Sequence, residues 1–106
     1  MGLSKSEKFT AEQNQLAAMA KAMAHPARIA IIQYLMKKGS CVCGDIVDEL
    51  PLSQSTISQH LKAMKEAGII QGNVEGTFTC YCLDKGCCSG LKAGFDKLFK
   101  GLKGCC

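Results

Sequence analysis

The first 40 residues hold no cysteine, and the whole chain has one arginine, Arg28. Its longest unbroken apolar run is Leu16–Ala20. A membrane span takes roughly 20 apolar residues, so neither a transmembrane segment nor the apolar stretch of a secretory leader is expected. A lone arginine argues against bidentate reading of guanine as a main device. It also removes one class of thiol enzyme, because a Cys-x5-Arg phosphate loop would need cysteine at position 22, where alanine stands. There is no phosphate-cradling glycine loop and no paired-histidine zinc motif. Enzymatic chemistry is therefore not expected.

The chain has 106 residues, with 13 Lys+Arg against 9 Asp+Glu, a formal charge of +4. Apolar types make up 47% and charged types 21%, an ordinary globular mixture. This is one small domain. So short a chain buries little surface, and oligomerisation would supply more. The eight cysteines fall in four close pairs, Cys41/Cys43, Cys80/Cys82, Cys87/Cys88 and Cys105/Cys106. Scaffold disulfides close loops between distant elements. Close pairs in a reducing cytosol read instead as soft-metal or redox chemistry.

Thr10 and Gln13 form a capping-box pattern, and Leu16, Met19, Ala20 and Met23 give the helix they open an apolar face. His25-Pro26 ends it and starts a second helix with Ile29, Ile32, Leu35 and Met36 inward, stopped at Gly39. A short third helix is expected over 41–50, then a turn at Pro51-Leu52. Ser53 caps a fourth helix with Ile57, Leu61 and Met64 on its core face, ended by Gly68. Residues 69–74 and 77–83 read as the strands of a hairpin. Past a glycine-containing break at 86–90, Leu91, Phe95, Leu98, Phe99 and Leu102 mark a last amphipathic helix. The expected fold is α+β, mainly α: a winged helix-turn-helix with a two-stranded β-wing, dimerising through its first and last helices. Residues 1–9 are expected as a flexible N-terminus, 10–103 as the domain, and 104–106 as a cysteine-containing tail.

With 57, 61 and 64 inward, the fourth helix turns Gln54, Ser55, Thr56, Ser58, Gln59 and Lys62 outward. Gln pairs with adenine, Ser and Thr reach base or phosphate, and the positive helix end favours phosphate. Glu66 is the one acid between residues 50 and 74, and it lies at the far end of this helix. Lys65 adds charge, and His60, beside the core position, is expected at a phosphate. His25 is expected to settle the turn before the second helix. Double-stranded DNA is the expected partner, with bidentate guanine reading by arginine not its main device.

The stretch Leu52-Ser53-Gln54-Ser55-Thr56-Ile57-Ser58-Gln59-His60-Leu61-Lys62, with His25-Pro26-Ala27-Arg28 upstream and Cys41-Val42-Cys43-Gly44-Asp45 between, resembles the ArsR/SmtB family of metal- and metalloid-sensing repressors. The likeness runs over residues 12–102. It implies a cytoplasmic homodimer that grips an operator with recognition helices about 34–36 Å apart and leaves when a toxic ion binds. The family's wing usually carries Arg or Lys; residues 72–77 here carry neither. The zinc site of its last helix is missing, since residues 89–103 offer Asp96 alone and neither His nor Glu. Its cadmium/lead site needs N-terminal cysteines that are lacking here. Cys41 and Cys43 match its arsenic site, but Ile46 or Val47 stands where a third cysteine belongs.

Thiolate-only donor sets select soft ions, so As(III) or Sb(III) is the expected inducer, held by Cys41 and Cys43 with Cys105 and Cys106 of the tail. Cys87/Cys88 and Cys80/Cys82 are the alternative donors, the latter read as core packing. Helical residues two apart point about 200° from each other, so capture by Cys41 and Cys43 is expected to unwind the third helix and tilt the fourth. Competing readings are a thiol-redox or persulfide sensor of the same fold, a Cd, Pb or Zn sensor, and a thiol metal buffer without DNA binding.

Overall fold

A computed structural model describes residues 8–43, 46–75 and 78–102. Most of the expected flexible start, and the tail with Cys105 and Cys106, lie outside the described residues. The elements run α1 (Ala11–Met23), α2 (Pro26–Lys38), β1 (Val42–Cys43), α3 (Ile46–Glu49), α4 (Gln54–Glu66), β2 (Ile70–Glu75), β3 (Phe78–Leu83) and α5 (Lys85–Leu98). This is the expected winged helix-turn-helix, with α3 and α4 as its helical pair.

Local chemistry sets the helix ends. Thr10 and Gln13 close a reciprocal capping box on α1. His25 caps α2, its Nδ1 accepting from the Ala27 amide at 3.0 Å, while Pro26 occupies the first turn. Gly39 ends α2 at φ 68°. The core gathers Ile31 and Leu35 of α2, Val42 of β1, Ile46 of α3, Ile57, Leu61 and Met64 of α4, and Ile69 and Ile70 at the entry to β2. Four elements thus fix the position of α4.

Four local expectations are corrected. The stretch expected as helix from 41 begins as strand: Val42 and Cys43 pair with β3, and helix is found only at Ile46–Glu49. The wing is accordingly part of a three-stranded antiparallel sheet in the order β1-β3-β2, not a lone hairpin. On α2, Ala27, Ile31 and Leu35 are buried, whereas Ile29 and Met36, expected inward, are exposed. Finally, α5 starts at Lys85 and runs through Gly86 and Gly90. Asp84 offsets their helix-weakening effect by accepting from the Cys87 amide at 2.9 Å and from Gln71 Nε2 at 2.8 Å.

α1 and α5 pack together at the edge of the domain. Gly94 permits their approach, since a Cβ there would meet Leu16 Cδ1 at 3.0 Å. Lys97 of α5 reaches Glu12 of α1 at 3.1 Å. Neither helix contains a buried residue, and Phe9, Leu98, Phe99 and Leu102 are exposed.

Candidate nucleic-acid interface and thiol cluster

Ser53 starts α4. Its Oγ accepts from the Thr56 amide at 3.3 Å and donates to Thr56 Oγ1 at 3.0 Å. Ile57, Leu61 and Met64 are buried, which leaves Gln54, Ser55, Ser58, Gln59, Lys62 and Lys65 exposed and Thr56 half-buried. Gly68, at φ 84°, turns the chain into β2. An anion approaching the first turn of α4 meets amide donors and short hydroxyls, with no acidic side chain in that turn.

One side chain expected at the phosphate backbone, His60, is placed otherwise, while Lys65 stays exposed. His60 is buried, and its Nδ1 accepts from Arg28 Nε at 3.1 Å. Its ring centroid lies 4.4 Å from that of His25. Arg28 also donates from Nη1 to the Ala22 carbonyl at 3.0 Å. The lone arginine therefore ties α1, α2 and α4 together, and the His60 side chain leaves the outward set. Lys65 lies across the wing: a Cβ on Gly72 would stand 3.3 Å from its Nζ and 3.2 Å from Tyr81 Cε1.

The cysteines converge where β1 meets β3. Register pairs Val42 with Tyr81 and Cys43 with Cys80. One step further out, Cys41 and Cys82 are joined by a disulfide across a Cα–Cα distance of 4.3 Å. Cys80 is also disulfide-bonded and is buried. The expectation that these pairs would not form disulfides is corrected, and so is the assignment of Cys82 to core packing. The missed signal was the repetition of Cys-x-Cys: two such motifs on antiparallel strands set their cysteines opposite one another.

Cys87 and Cys88, expected in a loop, stand in the first turns of α5. Cys87 Sγ approaches Met19 Sδ at 3.8 Å, and Cys88 Sγ approaches the Ile69 carbonyl at 3.8 Å. Burial, reinforced by the Asp84 charge, pushes both thiols up from their ordinary pKa. They are protonated and poorly nucleophilic at neutral pH. Among the described residues no group of three or more His, Cys, Asp or Glu side chains is arranged to hold a metal ion.

The family described as "Bacterial regulatory protein, arsR family" matches residues 25–71, from the cap of α2 into β2. The chain is 47% identical over 62 residues to an uncharacterized HTH-type transcriptional regulator, MJ1325, of Methanocaldococcus jannaschii, covering 58% of this chain and 68% of that one. It is 41% identical over 63 residues to the HTH-type transcriptional repressor SmtB of Mycobacterium tuberculosis, covering 59% of this chain and 46% of the relative. The structure superposes on that of a possible transcriptional regulator for arsenical resistance with a TM-score of 0.70, at 30% identity over 77% of this chain and 84% of that one. The family match spans α4, the element that carries the exposed amides and hydroxyls. The chain belongs to the arsR family of bacterial regulatory proteins: it is a DNA-binding helix-turn-helix transcription regulator, and not an enzyme.

Proposed function

We propose that this protein is a repressor that leaves its operator when As(III) or Sb(III) is captured by cysteine thiolates. Two copies joined through α1 and α5 present their α4 helices to successive major grooves. Exposed Phe9, just before α1, and exposed Leu98, Phe99 and Leu102, at and beyond the end of α5, support this pairing. Gln54, Ser55, Thr56, Ser58 and Gln59 read bases and phosphate, while Lys62 and Lys65 add phosphate contacts.

The observation that carries the ion-sensing reading is the apposition of Cys41 and Cys82 across the β1–β3 ladder, just upstream of α3. Reduction of that bond frees two facing thiols. Cys41 and Cys43 then hold the ion with Cys82 as the third donor, in place of the tail pair Cys105/Cys106 expected from the sequence. Position 43 lies in β1 and position 41 immediately before it, so capture at 41 and 43 needs no unwinding of a helix. The ion instead shifts β1 on β3. β1 leads into α3, and α3 packs on α4. A ligand that favours the DNA-free arrangement in this way couples typically by ~1–3 kcal/mol.

The disulfide itself favours a second reading, in which oxidation of the same thiols is the signal. Separate additions of As(III), Sb(III), Cd(II), Zn(II) and peroxide to reduced protein on a fluorescent fragment of its own promoter region test both. Release by the two metalloids supports the first reading. Release by peroxide alone, reversed by dithiothreitol, supports the second.

A further inference from the structure

The Cys41–Cys82 disulfide forms part of the wall of an open pocket of about 610 Å³ between the end of α2, β3 and α5. A cavity of this size takes a small organic molecule. Leu35 and Leu83 give it an apolar wall, while Lys85 and Lys92 stand on the α5 side. No carboxylate is among the residues lining it. Lys92 is ion-paired to Asp96 at 2.9 Å, so the more available positive charge is that of Lys85. Cys41 is exposed and Cys82 half-buried, so the sulfur open to attack from this pocket is that of Cys41. Cys88 also lines the pocket, but its raised pKa keeps it a thiol and a poor internal reductant.

We propose that this pocket is a docking site for a low-molecular-weight thiol bearing a carboxylate or sulfonate, and that this thiol reduces the Cys41–Cys82 bond. The lysines attract the anionic group, the apolar wall takes the carbon chain, and the sulfur is delivered to the disulfide. The small thiolate attacks Cys41 Sγ. A mixed disulfide forms at Cys41, the Cys41–Cys82 bond breaks, and Cys82 leaves as a thiolate that takes a proton from water. A second small thiolate then attacks the small molecule's sulfur in the mixed disulfide. Cys41 leaves as thiolate, and the two small thiols depart as their own disulfide. Two electrons pass from the two small thiols to the two protein sulfurs. The inference does not depend on which signal releases the protein from DNA, because it concerns the free protein alone.

The test measures reduction of Cys41–Cys82 in the oxidised full-length protein by mass spectrometry after alkylation. The probes are 2-mercaptoethanesulfonate, neutral 2-mercaptoethanol and cationic cysteamine, with rates corrected for the thiolate fraction of each. The sulfonate is expected to react roughly tenfold faster than the neutral thiol at low ionic strength, with saturation, and to lose that advantage as salt is raised. Lys85→Gln/Lys92→Gln should abolish the preference and leave the 2-mercaptoethanol rate unchanged. These lysines are surface residues, so the variant retains the fold, which circular dichroism checks. Equal corrected rates for the three probes would overturn the proposal. So would a preference that survives the lysine substitutions, or oxidised protein without a Cys41–Cys82 bond.

Discussion

Arg28 donates from Nε to Nδ1 of His60 at 3.1 Å, joining α2 to the middle of α4. To accept there, the His60 ring must be neutral with its proton on Nε2. Burial first, then the nearby charges of His25 and Arg28, lowers its pKa from the ordinary 6.5. The unfolded ring takes up a proton that the folded ring refuses, so this contribution to stability is complete above the ordinary value. It erodes as pH falls from there through the lower folded-state value. Urea midpoints are expected to decline between pH 7 and pH 5, by up to one proton's worth of slope. His60→Asn, which keeps an acceptor, should flatten that part of the decline. A variant with the wild-type pH profile contradicts the assignment.

The Cys41–Cys82 bond closes a separation of 41 residues. Chain-entropy reasoning for a loop of that length gives a stabilisation of up to about 4 kcal/mol. Oxidised protein should therefore unfold at higher urea than reduced protein. Cys41→Ser should reduce that difference, the bond made by Cys80 retaining the remainder. Identical oxidised and reduced midpoints for the wild type contradict this.

Gly39 closes α2 at φ 68°, and a Cβ there would meet nothing within 4 Å. Its substitution therefore isolates backbone strain from crowding. Gly39→Ala is expected to cost about 1–2 kcal/mol and Gly39→Asn less, read from urea denaturation. A neutral alanine variant would mean that the turn relaxes.

Of the exposed residues of α4, Gln59 and Lys62 separate two kinds of DNA contact. Gln59→Ala should cost about 1–3 kcal/mol on the cognate operator and relax selectivity at one base pair. Lys62→Ala should weaken all sequences alike and lower the log-log salt slope by about 1. Binding isotherms at several salt concentrations check both, and a salt slope unchanged by Lys62→Ala would remove that residue from the phosphate contacts.

What was legible in the sequence was what is decided locally. Ser53 caps its own helix, and Ile57, Leu61 and Met64 repeat at the helical period, so α4 and its outward residues could be read directly. β1 could not. Two residues make a strand only because Tyr81 and Cys80, far along the chain, lie beside them, and no local pattern encodes that register. The same distance hid the Cys41–Cys82 bond. Gly86 and Gly90 suggested a break, but the carboxylate of Asp84 holds the first turn of α5 together across them. His60 was misplaced because its partner, Arg28, is 32 residues away.

The link between thiol capture and DNA grip is tested most directly by anisotropy of a labelled promoter fragment with fully reduced protein, wild type beside Cys41→Ser/Cys82→Ser. Under As(III), the wild type should release the fragment while the double variant stays bound with its ion-free affinity intact. Equal release from both proteins, or no release from the wild type, would contradict the account.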